Sequence, residues 1–306
     1  MKTEKGVLSS QRAGNLFFVM TVVQIAGSLA YGIAGLFFPQ LYGIAVSTVF
    51  SEGLALVPML IFAVCSGVAA GKLFPFCRIR PIQILQALLL TAAVYPVCIF
   101  LNGLSLYFTE NAVEQMSGAI VDRPMWEMIL LIGIAGPFCE EIIFRHLLLR
   151  PLRRYGDWLA IIFSAVCFGA FHGNFDQFAY AAFVGVFLAL SAVRSNSIRN
   201  SILLHVINNL IVCLSDVLPQ LKSSEVLPTF SDKIIDGMTT VISFFYTVIL
   251  WVGLAAFVVM IATGMFRLHN GFTAVSSRKK AAMVLINPLL WVGIVLIVLI
   301  FMGIRI

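Results

Sequence analysis

Gly136-Pro137-Phe138-Cys139-Glu140-Glu141-Ile142-Ile143-Phe144-Arg145 lies in the middle of an apolar stretch running from about 126 to 149. Two adjacent carboxylates and an arginine sit where uncharged residues would be expected, and the surrounding chain decides how to read them. Of the 306 residues, 60% are hydrophobic and 11% charged, and the mean hydropathy is +1.01. A soluble domain carries about 25% charged residues. The composition excludes an ordinary cytosolic enzyme, a disordered chain and a secreted disulfide scaffold. It describes an all-α, polytopic transmembrane bundle. No extra-membrane stretch is long enough for a separate soluble domain, so 1–306 reads as a single membrane domain.

Nine stretches are apolar enough to cross a bilayer, near 15–38, 53–71, 82–108, 126–149, 157–173, 177–193, 199–215, 237–266 and 282–303. They must be helices, because an open strand in lipid leaves its backbone unpaired. The first follows Lys2, Lys5 and Arg12, but its apolar run exceeds a signal-peptide core, so it reads as a span. With the N-terminus cytosolic, 15 basic residues fall on the cytosolic side. Only Arg123, Lys222, Lys233 and Arg305 fall outside, with Arg145 in or near a span. That asymmetry favours an N-in orientation. The net charge of +6 is accounted for by these loops, and no basic run paired with aromatics suggests nucleic acid. The six cysteines are scattered without a CxxC pair, which argues against a disulfide framework or a zinc knuckle. The connection from Asp216 to Asp236, with Pro219 and Pro228, reads as a solvated loop.

A charge at the centre of a lipid-embedded helix costs about 2.5–3.5 kcal/mol on insertion scales. Three spans nevertheless carry polar groups. In the fourth, Glu141 and Arg145 are spaced i,i+4 and can pair. Glu140 is turned about 100° away and has no obvious local partner. Pro137 removes one backbone hydrogen bond and can bend the helix ahead of the pair. In the fifth, Phe168 lies one turn before His172 and is placed to stack on it. In the seventh, His205 and Asn209 share a face, while Asn208 points elsewhere and reads as packing. Taken singly, these features suit a buried salt bridge, a membrane-edge histidine and a polar helix contact. Counted from the tip near 153–156, Glu140 and His172 fall at similar heights on antiparallel neighbours. His205 reaches that height only if this tip projects further than the one at 195–198.

A carboxylate, two imidazoles and an amide in a water-filled membrane cavity suit hydrolysis. The carboxylate can act as a general base, a histidine can share the proton, and a histidine with an asparagine can stabilise an oxyanion. Glu140, His172 and His205 could also hold a divalent metal such as zinc, although the soluble H-E-x-x-H pattern is absent. Cys139 is a poor nucleophile candidate, because two neighbouring carboxylates oppose a thiolate.

The ordered set Glu140-Glu141…Arg145, Phe168…His172 and His205…Asn209 resembles the motifs of the CPBP family, which includes type 2 CAAX prenyl proteases and bacteriocin-processing proteins. The resemblance covers about 125–215, leaving 1–124 and 216–306 as flanking transmembrane helices. It implies an intramembrane endopeptidase whose cavity opens to the cytosol, in the plasma membrane if the source is bacterial. It also implies that Glu140 and His172 activate the attacking water, and that His205 and Asn209 stabilise the oxyanion. Glu141 and Arg145 would be structural or substrate-orienting. The partners implied are the lipid bilayer and a prenylated protein, a peptide precursor or a membrane protein as substrate. The family has been described both as metal-dependent and as a glutamate protease. Two widely separated histidines and one carboxylate do not fix a metal, which favours the glutamate. Two other readings compete: a non-catalytic membrane binding or immunity protein, and a proton-coupled transporter using the same residues.

Overall fold

The computed structural model describes residues 81–106, 125–153, 156–223, 251–256 and 288–301 continuously, with scattered positions across 19–61 and 237–268. Among these residues every regular element is helical. Helix α1 spans Pro81–Leu106. A composite helix follows, then α2 (Asp157–Phe171), α3 (Phe175–Ser195), α4 (Ile198–Ser223) and α5 (Pro288–Phe301). Two helical stretches, Leu88–Ser105 and Gln177–Ser195, are long and apolar enough to cross a membrane, and Asp157–Phe171 and Ile198–Cys213 are shorter apolar helices. The spans expected at 15–38, 53–71 and most of 237–266 lie outside the described residues, apart from scattered positions.

The composite helix alternates between two windings. Met125–Met128 is α-helical, Ile129–Ala135 π-helical, Gly136–Glu141 α-helical, Ile142–Leu149 π-helical and Arg150–Leu152 α-helical. In a π turn the backbone N–H reaches five residues back rather than four, and such turns concentrate at functional sites. The two glutamates thus occupy a short α-helical insert between two wide-turned stretches.

The bundle closes on this helix. Ile142, Ile143, Phe144 and Leu148 are buried against Ile161 and Phe168 of α2 and Leu188 of α3. Large apolar side chains such as Ile162, Val166 and Trp126 point outward, as lipid-facing residues do. Helices α2 and α3 are joined by a tight turn in which Gly173 has φ +70° and Asn174 caps α3 by accepting from Gln177 N–H at 2.9 Å. Small residues allow them to pack closely. A Cβ on Gly169 would lie 2.7 Å from the Phe178 carbonyl and 2.8 Å from Ala182. Lipid is as apolar as leucine, so close packing of this kind drives helix association in membranes.

One sequence expectation needs correcting. Helix α4 continues through Pro219 to Ser223, so the segment expected to be a loop from Asp216 begins as helix. Proline holds a helical φ, so the helix can pass through it at the cost of one backbone donor and a local bend. At the helix ends, Arg153 Nη1 donates to Asn196 Oδ1 at 3.2 Å, joining the tip after the composite helix to the one after α3.

Candidate functional site

Glu141 is fully buried, and each of its carboxylate oxygens has a partner. Oε2 accepts from Arg145 Nε at 3.1 Å, the i,i+4 pair expected from spacing. Oε1 lies 3.1 Å from His205 Nδ1. Ser201, one turn before His205, also lies close enough to interact with this carboxylate. Arg145 is equally buried. Its Nη1 donates to Ser164 Oγ at 2.8 Å, and Ser164 Oγ donates to the Phe144 carbonyl at 2.9 Å. One carboxylate and one guanidinium thereby tie the composite helix to both α2 and α4.

Glu140 is placed differently. Its Oε2 lies 3.6 Å from His205 Nε2 and accepts no hydrogen bond among the described residues. The side chain keeps 12% exposure, against none for Glu141. The acid that lacked a local partner in the sequence therefore finds its neighbour on α4. One imidazole bridges two adjacent carboxylates, with Nδ1 on Glu141 and Nε2 facing Glu140.

His172 caps the end of α2. Its Nδ1 lies 3.0 Å from the Phe168 carbonyl one turn earlier, and its ring meets Phe168 edge-on at 5.1 Å, as the spacing suggested. Phe168 does more than that spacing indicated. It also contacts the His205 ring at 5.4 Å, and the Arg145 guanidinium sits 4.9 Å over its face. It is the shared wall between the two imidazoles. Asn209 does not join His205 at the glutamates. Its Nδ2 donates to the Ile132 carbonyl at 3.1 Å. Asn208 is not mere packing, since its Nδ2 donates to Asn209 Oδ1 at 3.4 Å.

The partners fix the tautomers. A carboxylate paired with arginine and a backbone carbonyl can only accept, so each histidine donates from Nδ1. A neutral ring then keeps its lone pair on Nε2. Both imidazoles can accept a proton there while their orientation is held from the other side.

Among the described residues no group of three or more His, Cys, Asp or Glu side chains is arranged to hold an ion. Nδ1 of both histidines is engaged by a carbonyl or a carboxylate, which leaves Nε2 as the atom either ring could offer a metal, but no third donor is grouped with them among the described residues. Sequence reading missed Ser164, Ser201 and the buried His146. Hydroxyls recur in apolar helices as interhelical contacts, and a histidine next to Arg145 was a visible signal.

Residues 122–211 match the family model for Rce1-like type II CAAX prenyl endopeptidases. The match spans the composite helix through most of α4 and contains every residue of the site. It agrees with the family resemblance of the three motifs, and that family is one of integral membrane proteases. No curated protein and no solved structure matches the chain.

Proposed function

We propose that this protein is an intramembrane endopeptidase that hydrolyses a peptide bond in a membrane-associated substrate, using water activated by glutamate and histidine. The observation that carries the proposal is the contrast between the two glutamates around one buried histidine. Glu141 is saturated by Arg145 and His205, whereas Glu140 keeps an oxygen without a hydrogen-bond partner. A carboxylate with an open oxygen in a low-dielectric site is suited to general-base work.

In this mechanism Glu140 takes a proton from water as the water oxygen attacks the scissile carbonyl carbon. His172, anchored through Nδ1, uses Nε2 to accept the second water hydrogen and orient the attacking lone pair. His205 in its protonated form donates from Nε2 to the oxygen that becomes negative in the tetrahedral intermediate. Glu141 holds the imidazole ring and stabilises its positive charge, as a buried carboxylate can do for a histidine. Glu140 then delivers its proton to the leaving nitrogen as the C–N bond breaks. No step uses a metal. The resemblance assigns Asn209 to the oxyanion as well, although its amide is engaged with Ile132.

The substrate class is a prenylated C-terminal segment or a peptide precursor that reaches the site from the bilayer. The excess of basic residues on one side supports an N-in chain with the site facing the cytosol. The test compares new protein termini in membranes containing wild type or Glu140→Gln. Termini generated only by the wild type are expected. Identical termini from two folded, equally abundant proteins would overturn the proposal and shift weight to a non-catalytic binding role.

A further inference from the structure

A proline inside a helix removes one donor and strands one acceptor. Here the winding identifies that acceptor. Just before Pro137 the backbone is π-helical, and Gly136 N–H donates to the Leu131 carbonyl, five residues back. By the same reach, residue 137 would serve the carbonyl of Ile132, but proline has no N–H to give. The Ile132 carbonyl instead receives Asn209 Nδ2 at 3.1 Å.

Two further observations show that this contact is built into the fold. Asn208 donates to Asn209 Oδ1, which occupies the amide oxygen and turns the nitrogen to the carbonyl. The helices also approach closely at this point. A Cβ on Gly133 would stand 2.7 Å from Leu210 Cδ2, so the Leu210 side chain packs directly over the glycine.

We propose that Asn209 is a positioning residue whose amide replaces the backbone donor that Pro137 lacks, fixing the winding that presents Glu140 to His205. Asn209 and His205 lie one turn apart on α4. They grip the composite helix on either side of Pro137, at Ile132 and at the glutamates. Loss of the amide leaves a carbonyl unsatisfied in a low-dielectric interior and frees the turn ahead of Glu140. The effect on cleavage rests on the endopeptidase proposal. The bond itself does not.

The test is a double-substitution cycle in the purified full-length protein in detergent: wild type, Asn209→Ala, Pro137→Ala and both together. Pro137→Ala returns the missing N–H. The thermal midpoint is read in every variant, and kcat and KM are read on the substrate identified by terminus comparison. Asn209→Ala is expected to lower the midpoint by about 2–6 °C and kcat by about tenfold or more, with KM unchanged. In the Pro137→Ala background the same substitution should lose less than half of each. Should Pro137→Ala fail to fold, Pro137→Ser supplies the same N–H. Equal losses in both backgrounds would overturn the inference. So would recovery of the midpoint without recovery of kcat, because Asn209 would then act on the substrate directly. A wild type that cuts nothing would sink the endopeptidase proposal, and coupling of the midpoints alone would then decide the role of Asn209.

Discussion

The composite helix and α3 cross the same bundle, yet they are held by opposite means. Helix α3 is regular along its length and capped at both ends by asparagine, with Asn174 before it and Asn196 at φ +50° after it. It packs by shape: Gly185 lies against Ala165, and Ala182 lies against Gly169. The composite helix changes winding four times and is held by side-chain bonds from two other helices. A helix held by shape tolerates small losses one at a time. A helix held by a buried polar network loses its partners together, because each unpaired group in low dielectric is costly. The site lies on the second kind of helix.

That contrast can be broken by substitutions of graded effect. Arg145→Ala should be the most damaging, at about 3–5 kcal/mol, because it leaves Glu141 charged and buried beside His205. A melting curve in detergent that overlays the wild type would remove the network from the account. Gly169→Val probes the shape-held pair and should cost about 1–3 kcal/mol, since the new side chain meets the Phe178 backbone rather than a movable tip. If it melted lower than Arg145→Ala, the ranking of the two regions would be reversed. Ser164→Ala removes the link from Arg145 to α2 and to the Phe144 carbonyl and should cost about 1–2 kcal/mol. An unchanged midpoint would mean that the guanidinium finds another acceptor. Asp157→Asn weakens the half-exposed Arg153 pair at the tip and should cost less than about 1 kcal/mol, shrinking further in high salt. A larger loss would show that the tip belongs to the same cooperative unit as the site.

Much of the site was legible because helical spacing is local. Glu141 with Arg145 follows from i,i+4 geometry, and Phe168 against His172 follows from the same rule. The helical class and the apolar stretches follow from composition. What spacing could not show is where a face goes once a neighbour approaches. His205 and Asn209 share a face, yet one meets a carboxylate and the other a backbone carbonyl eight or more residues away along the composite helix. The partner of Glu140 was invisible because it comes from a different helix. The π winding was invisible too: nothing in the spacing of residues 129–149 distinguishes five-residue from four-residue backbone bonding. The bonds that α2 and α4 supply to this helix are tertiary facts that spacing along one chain segment does not carry.

The π-helical stretch 142–149 also sets the evolutionary register of the site. Deleting one residue there would let the backbone return to four-residue bonding, at little cost to hydrophobicity. It would also remove the wide turns and shift everything before it around and along the axis relative to Arg150, so Glu140 and Glu141 would lose their present alignment with α4. The carboxylate now saturated and the one now open would be offered different neighbours, with both still present in the sequence. Among relatives of this chain, the length between the second glutamate and the basic tip should therefore be guarded as strictly as the glutamates themselves, whatever apolar residues fill it.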